Sequence, residues 1–126
     1  MWISISFYNR KPGMSHEEFS KYWREIHGPL LVNNPKVSKY IKRYIQHHIS
    51  PNRSAPGLQQ LPYDGFSEVW FATMEDRTKM FAEPDFQAKV IPDEANFLDL
   101  SRTRTSMSDM QVVQVGPDIE AMLKAK

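Results

Sequence analysis

The side chains placed by pattern to move protons are His27, His48 and Glu68. Histidine titrates near neutrality. Beside a partly buried carboxylate it can take a proton from carbon next to a carbonyl, or deliver one to a leaving hydroxyl. His27 ends the run SHEEFSKYWREIHGPL, His48 lies in KYIKRYIQHHI, and Glu68 sits inside the apolar run GFSEVWF. Tyr44, Gln46 and His48 offer groups that can hold an enolate or phenolate oxygen. Tyr8, Phe66 and Trp70 add aromatic wall, which suits a flat, oxygenated substrate. Trp23 is a further candidate contact, with a core position as its alternative.

The elements that must position these residues can be read from spacing. Ser15 and Glu18 have the separation of a capping box, so a helix starts there. Phe19, Tyr22, Trp23, Ile26 and Leu30 recur at three- and four-residue steps and make one apolar face. Gly28-Pro29 is expected to stop that helix, because Pro lacks a backbone N–H and disfavours helical geometry in the residue before it. His27 is then left at the C-terminal end. Spacing alone leaves it two readings: a residue favoured by the helix dipole, or a site residue.

Trp2–Tyr8 alternates as a strand, with Ile3, Ile5 and Phe7 expected inward and Ser4, Ser6 and Tyr8 on the pocket side. Lys39–Ile49 reads as a second strand, with Ile41, Ile45 and Ile49 as core and Tyr44, Gln46 and His48 on the pocket face. Gly65–Phe71 reads as a third. There Ser67, Val69 and Phe71 are expected against the helices, and Phe66, Glu68 and Trp70 in the pocket. His47 and His48 are adjacent and must point to opposite faces. Glu68 has an alternative as an ion-pair partner of Arg43, Arg102 or Arg104.

Thr73 or Asp76 can cap a helix over Glu75–Ala82. Pro84 can open another to Ile91, and Pro92 is expected to interrupt it before further helical turns over Asp93–Leu100. Arg104–Val115 is the expected last strand, and 117–126 a tail helix. Ser50–Asp64, rich in proline, is a long insertion expected to form the mouth or lid of the pocket.

The order is β-α-β-β-α-β. It predicts one α+β domain over 1–126, ferredoxin-like, with a four-stranded antiparallel sheet. Two helices cover one sheet face, so the other must be buried on something. Phe66, Trp70, Tyr44 and Tyr8 would otherwise form a large exposed apolar patch, which points to a homodimer.

Composition narrows the function. The chain has 126 residues, a net charge of +1, 40% hydrophobic residues and no cysteine. That excludes disulfides, thiolate metal sites and a cysteine nucleophile. There is no concentrated basic surface for nucleic acid and no apolar run long enough to span a membrane. The start, MWISISFYNRK, lacks a secretory pattern, so a cytoplasmic protein is expected. No two histidines have the spacing of a metal site. No glycine-rich nucleotide motif and no G-x-S-x-G elbow is present. No cofactor or metal is therefore expected, which leaves proton transfer.

RKPGMSHEEFSKYWREIHGPL, then YDGFSEVWF and DEANFLDLSRTR, resembles the EthD-type domain of the dimeric α+β barrel proteins. The resemblance runs from about Ile3 to about Val115. It implies two sheets closing into a barrel, a pocket in each subunit, and a cavity-lining role for the histidine of H-G-P. It also implies tailoring of polyketides by a lyase, through dehydration or decarboxylation. A cofactor-free oxygenase, an isomerase or cyclase, and a non-catalytic ligand-binding or accessory protein remain as alternatives. Product mass separates the reactions, and turnover separates enzyme from binder.

Overall fold

Ser15 starts the first helix as its spacing predicts, its hydroxyl accepting from the backbone N–H of Glu18 at 3.1 Å. The computed structural model describes residues 1–125. Helix α1 (His16–Tyr22) does not end near Gly28. It widens into a π turn over Trp23–His27 and continues as α2 (Gly28–Val32). The Gly28 N–H reaches back to the Trp23 carbonyl, five residues away. Pro29 is the physical reason. It has no N–H for the carbonyl four residues back, and its ring crowds that carbonyl. One wider turn before the proline relieves both problems without breaking the rod.

The second helical layer repeats the device. Thr73 caps α4 (Met74–Ala82) by accepting from Asp76 N–H. A π turn over Phe86–Val90 then leads into α5 (Ile91–Asp93), with the Ile91 N–H bonded to the Phe86 carbonyl. Pro92 therefore does not interrupt the helix, contrary to the sequence expectation. A 3₁₀ turn, Glu94–Asn96, comes directly after it.

Strands β1 (Trp2–Tyr8), β2 (Arg43–His48), β3 (Gly65–Phe71) and β4 (Arg104–Ser108) form one sheet in the order β2-β3-β1-β4. Every junction is antiparallel. This is the ferredoxin-like arrangement. Two strands are shorter than their composition suggests. The chain before β2 instead holds α3 (Pro35–Ser38), capped by Asn34, so Ile41 precedes the strand. Beyond Ser108 the chain leaves the sheet and ends in α6 (Ile119–Lys124). Lys126, included in the expected tail helix, lies outside the described residues.

Two apolar clusters hold the helices on the sheet. One joins Leu31 and Val37 to Phe71, Met80, Phe86 and Val90. The other joins Phe19 and Trp23 to Phe97 and Leu98. Trp23 is only 1% exposed, and truncating such an indole to Ala costs about 3–5 kcal/mol. Its core reading is the one the structure favours.

Candidate active site

Register decides which strand residues share a face. Across β2, β3 and β1 the rows are Tyr44–Val69–Ser4, Gln46–Ser67–Ser6 and His48–Gly65–Tyr8. The intervening rows are Arg43–Trp70–Ile3, Ile45–Glu68–Ile5 and His47–Phe66–Phe7. The first set faces the helices, because Phe71, on the same face as Val69, packs against Met80 and Phe86. Tyr8, Tyr44, Gln46 and His48 thus share a face, as the sequence predicts. Phe66, Glu68 and Trp70 do not join them; they lie on the outer face.

That is a correction with a simple cause. Helix packing and pocket were assigned to opposite sides of β3, but the pocket lies between sheet and helices, so the two are one side. Glu68 has an outer-face role instead. Its carboxylate pairs with His47 Nε2 at 2.5 Å and accepts from Trp70 Nε1 at 3.1 Å. It therefore shares no cavity with His27. The partner is His47, not an arginine.

A cavity of about 300 Å³ opens between the sheet and the helices. His27, Tyr8, Tyr44 and Ser67 line it, with Glu94 and Arg77 from the second helical layer. Leu31, Phe71, Met80, Phe86 and Val90 supply its apolar wall. A few polar groups in an apolar concavity are the usual make-up of a small-molecule site.

His27 is buried, and its Nδ1 lies 2.8 Å from Asp93 Oδ2. The π turn ending at His27 and the helix ending at Asp93 bring these side chains together. Asp93 in turn accepts from Tyr22 at 2.5 Å and from Asn96 at 3.0 Å. Burial opposes the ionised form of Asp93, but those hydrogen bonds and His27 outweigh it and hold its pKa below the ordinary value. A carboxylate at Nδ1 fixes the imidazole with its proton there, so Nε2 carries the lone pair. Burial lowers the His27 pKa below 6.5, against the opposing pull of Asp93. The ring is therefore neutral near neutral pH and able to accept a proton.

Glu94 is the residue after Asp93. Burial, then the negative charge of Asp93, raises its pKa above 4.5. A carboxyl held toward its protonated form is a proton donor. Sequence reading missed both Asp93 and Glu94. The signal was present in the run DEANFLDLSRTR, which begins with this pair.

Tyr44, Gln46 and His48 form a directional chain. Ser20 Oγ meets His48 Nδ1, and His48 Nε2 meets the Gln46 carbonyl oxygen at 2.9 Å. The Gln46 amide donates to Tyr44 OH at 3.1 Å and to the Trp23 carbonyl at 3.0 Å. Trp23 Nε1 also donates to Tyr44 OH, at 3.2 Å. Tyr44 thus accepts two hydrogen bonds, and its own proton is left to point into the cavity it lines. Burial pushes its pKa up to about 12, which keeps that proton in place. Successive donors aligned one way polarise each other and strengthen the last. Gln46 and His48 stand behind Tyr44; neither lines the cavity. The aromatic ring of His48 packs on Trp23, with centroids 4.8 Å apart.

Gly28 is explained by the same chain. A Cβ there would meet Gln46 Nε2 at 2.6 Å and the Trp23 carbonyl at 3.2 Å. Only glycine lets the amide approach.

The insertion Ser50–Asp64 lines a different, more open concavity of about 610 Å³, with Asn9–Met14 and His16. None of its residues lines the His27 cavity. The expected lid over His27 is thus not what this segment forms. Leu58 and Leu61, which suggested a lid, are exposed, and Tyr63 packs at a 45° tilt on Phe7 of the outer face. Asp64 anchors the end of the segment to Arg10 and His16 at 2.7 and 2.9 Å.

Among the described residues, no group of three or more His, Asp or Glu side chains converges as a metal site requires. No helix among them is long and apolar enough to cross a membrane.

A four-stranded antiparallel sheet in this order, with a histidine cavity under its helices, defines a ferredoxin-like α+β protein. The chain belongs to the EthD domain family, whose model matches residues 11–101. It is 36% identical over 103 residues to the conidial pigment biosynthesis dehydratase EthD of Metarhizium robertsii, spanning 75% of this chain and 71% of that protein. It is 30% identical over 106 residues to decarboxylase claH of Passalora fulva, spanning 78% and 68% respectively. The crystal structure of an EthD family protein from Bacillus halodurans matches with a TM-score of 0.65 at 13% identity, covering 88% of this chain and 100% of that one.

Proposed function

We propose that this chain is a lyase that dehydrates an oxygenated aromatic or polyketide-like small molecule, without a cofactor. The observation that carries the reading is His27, held through Nδ1 by Asp93 and lining one cavity with Glu94. In the reaction, His27 Nε2 takes a proton from carbon next to a carbonyl. The electron pair becomes a carbon–carbon double bond. The carbon–oxygen bond breaks as Glu94 gives its proton to the departing hydroxyl, and water leaves. Asp93 stabilises the imidazolium, and Tyr44 OH donates to the carbonyl oxygen as charge gathers there. Proton exchange with solvent resets His27 and Glu94. The names of relatives such as the Metarhizium dehydratase support this class of reaction.

The test is product mass on hydroxylated aromatic polyketides. Loss of water is expected; loss of carbon dioxide would instead assign decarboxylation, as in the name of claH. His27→Ala and Glu94→Gln should each lower turnover on the order of 100-fold or more, the usual worth of a positioned acid or base. Folded variants that turn over normally sink the assignment.

The same reading includes a homodimer through the outer sheet face. Ile5, Phe7, Ile45 and Phe66 share that face and keep part of their surface open. The patch differs from the one expected, since Tyr8 and Tyr44 face the helices. Beyond β4, Met110, Val112 and Val115 are also exposed, Val115 by 94%. Apolar surface of this extent is what a second copy would cover.

A further inference from the structure

Resting on the His27 cavity as the reacting site, we infer that Arg77 is the anchor for a carboxylate on the substrate, so the natural substrate is an anionic aromatic acid. Arg77 lines the cavity from α4, the layer opposite α2. Its Nε is buried and has no hydrogen-bond partner, and among the described residues its guanidinium makes no ion pair. Its central carbon lies 4.7 Å from the centroid of the Phe81 ring. Phe81 lines the same cavity. Glu94 lies in the cavity wall too, yet does not pair with it.

A guanidinium with a buried donor left unmatched is an incomplete arrangement. A planar carboxylate completes it, because its two oxygens match the parallel N–H fork. The apolar side chains that line the cavity with Arg77 and His27 then take the ring system. The pairing also bears on the chemistry. It stabilises a carboxylate as such and works against its loss as carbon dioxide. The acid group held by Arg77 is therefore a handle that survives the reaction, not the group removed.

The test uses a probe pair of one shape and different charge, 2-naphthoate and 2-naphthamide, titrated calorimetrically into the full chain. The acid should bind about tenfold more tightly than the amide, as one charge-assisted bidentate contact provides. Arg77→Met should erase that preference while leaving amide binding unchanged, and Arg77→Lys should restore part of it. His27→Ala should keep it, which separates failure of this anchor from failure of the proposed reaction. Thermal melts establish that the variants fold. Equal binding of acid and amide, a preference that survives Arg77→Met, or no binding of either probe overturns the inference.

Discussion

His27 Nδ1 and Asp93 Oδ2 meet at 2.8 Å although 66 residues separate them in the chain. Each stands beside a proline-relieving π turn: His27 closes the first, and Asp93 lies three residues past the second. The two helical layers therefore meet through the same local geometry, and an imidazole held by a carboxylate at Nδ1 results from the meeting.

Asp93→Asn should expose the value of that contact. The amide keeps the size of the carboxylate but can donate to Nδ1, which moves the imidazole proton to Nε2. The lone pair needed for catalysis then faces the wrong way. Turnover should fall on the order of 100-fold or more while the fold persists, by analogy with other His–carboxylate pairs. Steady-state kcat beside the thermal melt checks it; an active, folded Asp93→Asn protein contradicts the role.

The pH profile should be a bell with one limb set by His27 and the other by Glu94. His27 must be unprotonated, and its pKa lies below 6.5, so the acid limb falls there. Glu94 must be protonated, and its pKa lies above 4.5, so the alkaline limb begins above that value. Glu94→Gln should flatten the alkaline limb and leave the acid limb in place. A kcat profile that rises steadily to alkaline pH would remove Glu94 from the mechanism.

Stability should also depend on pH, through His27, His48 and Asp93, with Glu94 opposing them because its raised pKa lets the folded chain bind that proton first. Above pH 6.5 His27 is neutral folded or unfolded and contributes no slope. As pH falls below 6.5 the unfolded chain binds a proton that the buried ring resists, so stability declines until the lowered pKa is passed. His48, lowered by burial and then by the nearby Arg24, adds to this decline. Asp93 has a pKa below 3.8, so its contribution is present above that value and is lost only at still lower pH. Urea midpoints measured from about pH 8 to about pH 3 should show two stages of loss. His27→Gln should shrink the first stage; an unchanged first stage removes His27 as its source.

Tyr44→Phe tests the hydrogen-bond chain. It would leave donors of Trp23 and Gln46 unmatched in a buried place. The expected loss is about 1–3 kcal/mol per orphaned group. Gly28→Ala should be comparably harmful, since its Cβ displaces the Gln46 amide. Denaturation midpoints decide both, and a neutral Gly28→Ala would show that the approach of Gln46 is not required.

Ile45→Glu probes the outer face. A carboxylate there would be buried beside Glu68 in any dimer formed through that face. Light scattering should give a dimer for the unaltered protein and a monomer for the variant. A stable monomer of the unaltered chain at micromolar concentration ends the dimer reading.

Local signals in the sequence were legible. Ser15 with Glu18, and the period-two strands, depend on neighbours, and the cap and all four strands appear in their expected order, with β2 and β4 shorter than expected. Which side of a strand meets the helices was not legible for β3. Phe66 and Trp70 alternate with Val69 and Phe71, so both faces are apolar, and the pattern gives alternation without direction. The packing of Phe71 with Met80 and Phe86 fixes it, and register carries the assignment across to Tyr44 and Ser4. Asp93 was hidden for another reason. Pro92 reads as a helix breaker, and nothing local shows that a widened turn would carry the chain past it.

Those widened turns also decide how the candidate site answers a change in chain length. A π turn holds one residue more than an α turn and takes it up locally, so the turns on either side keep their facing. Excising a single residue from 23–27 with a return to α spacing would therefore leave the downstream turns pointing as they do. A residue added within 16–22, with the helix still α there, would instead rotate the two sides of the insertion against each other by about 100° and swing the imidazole off Asp93. The turn over 86–90 gives Asp93 and Glu94 the same local slack.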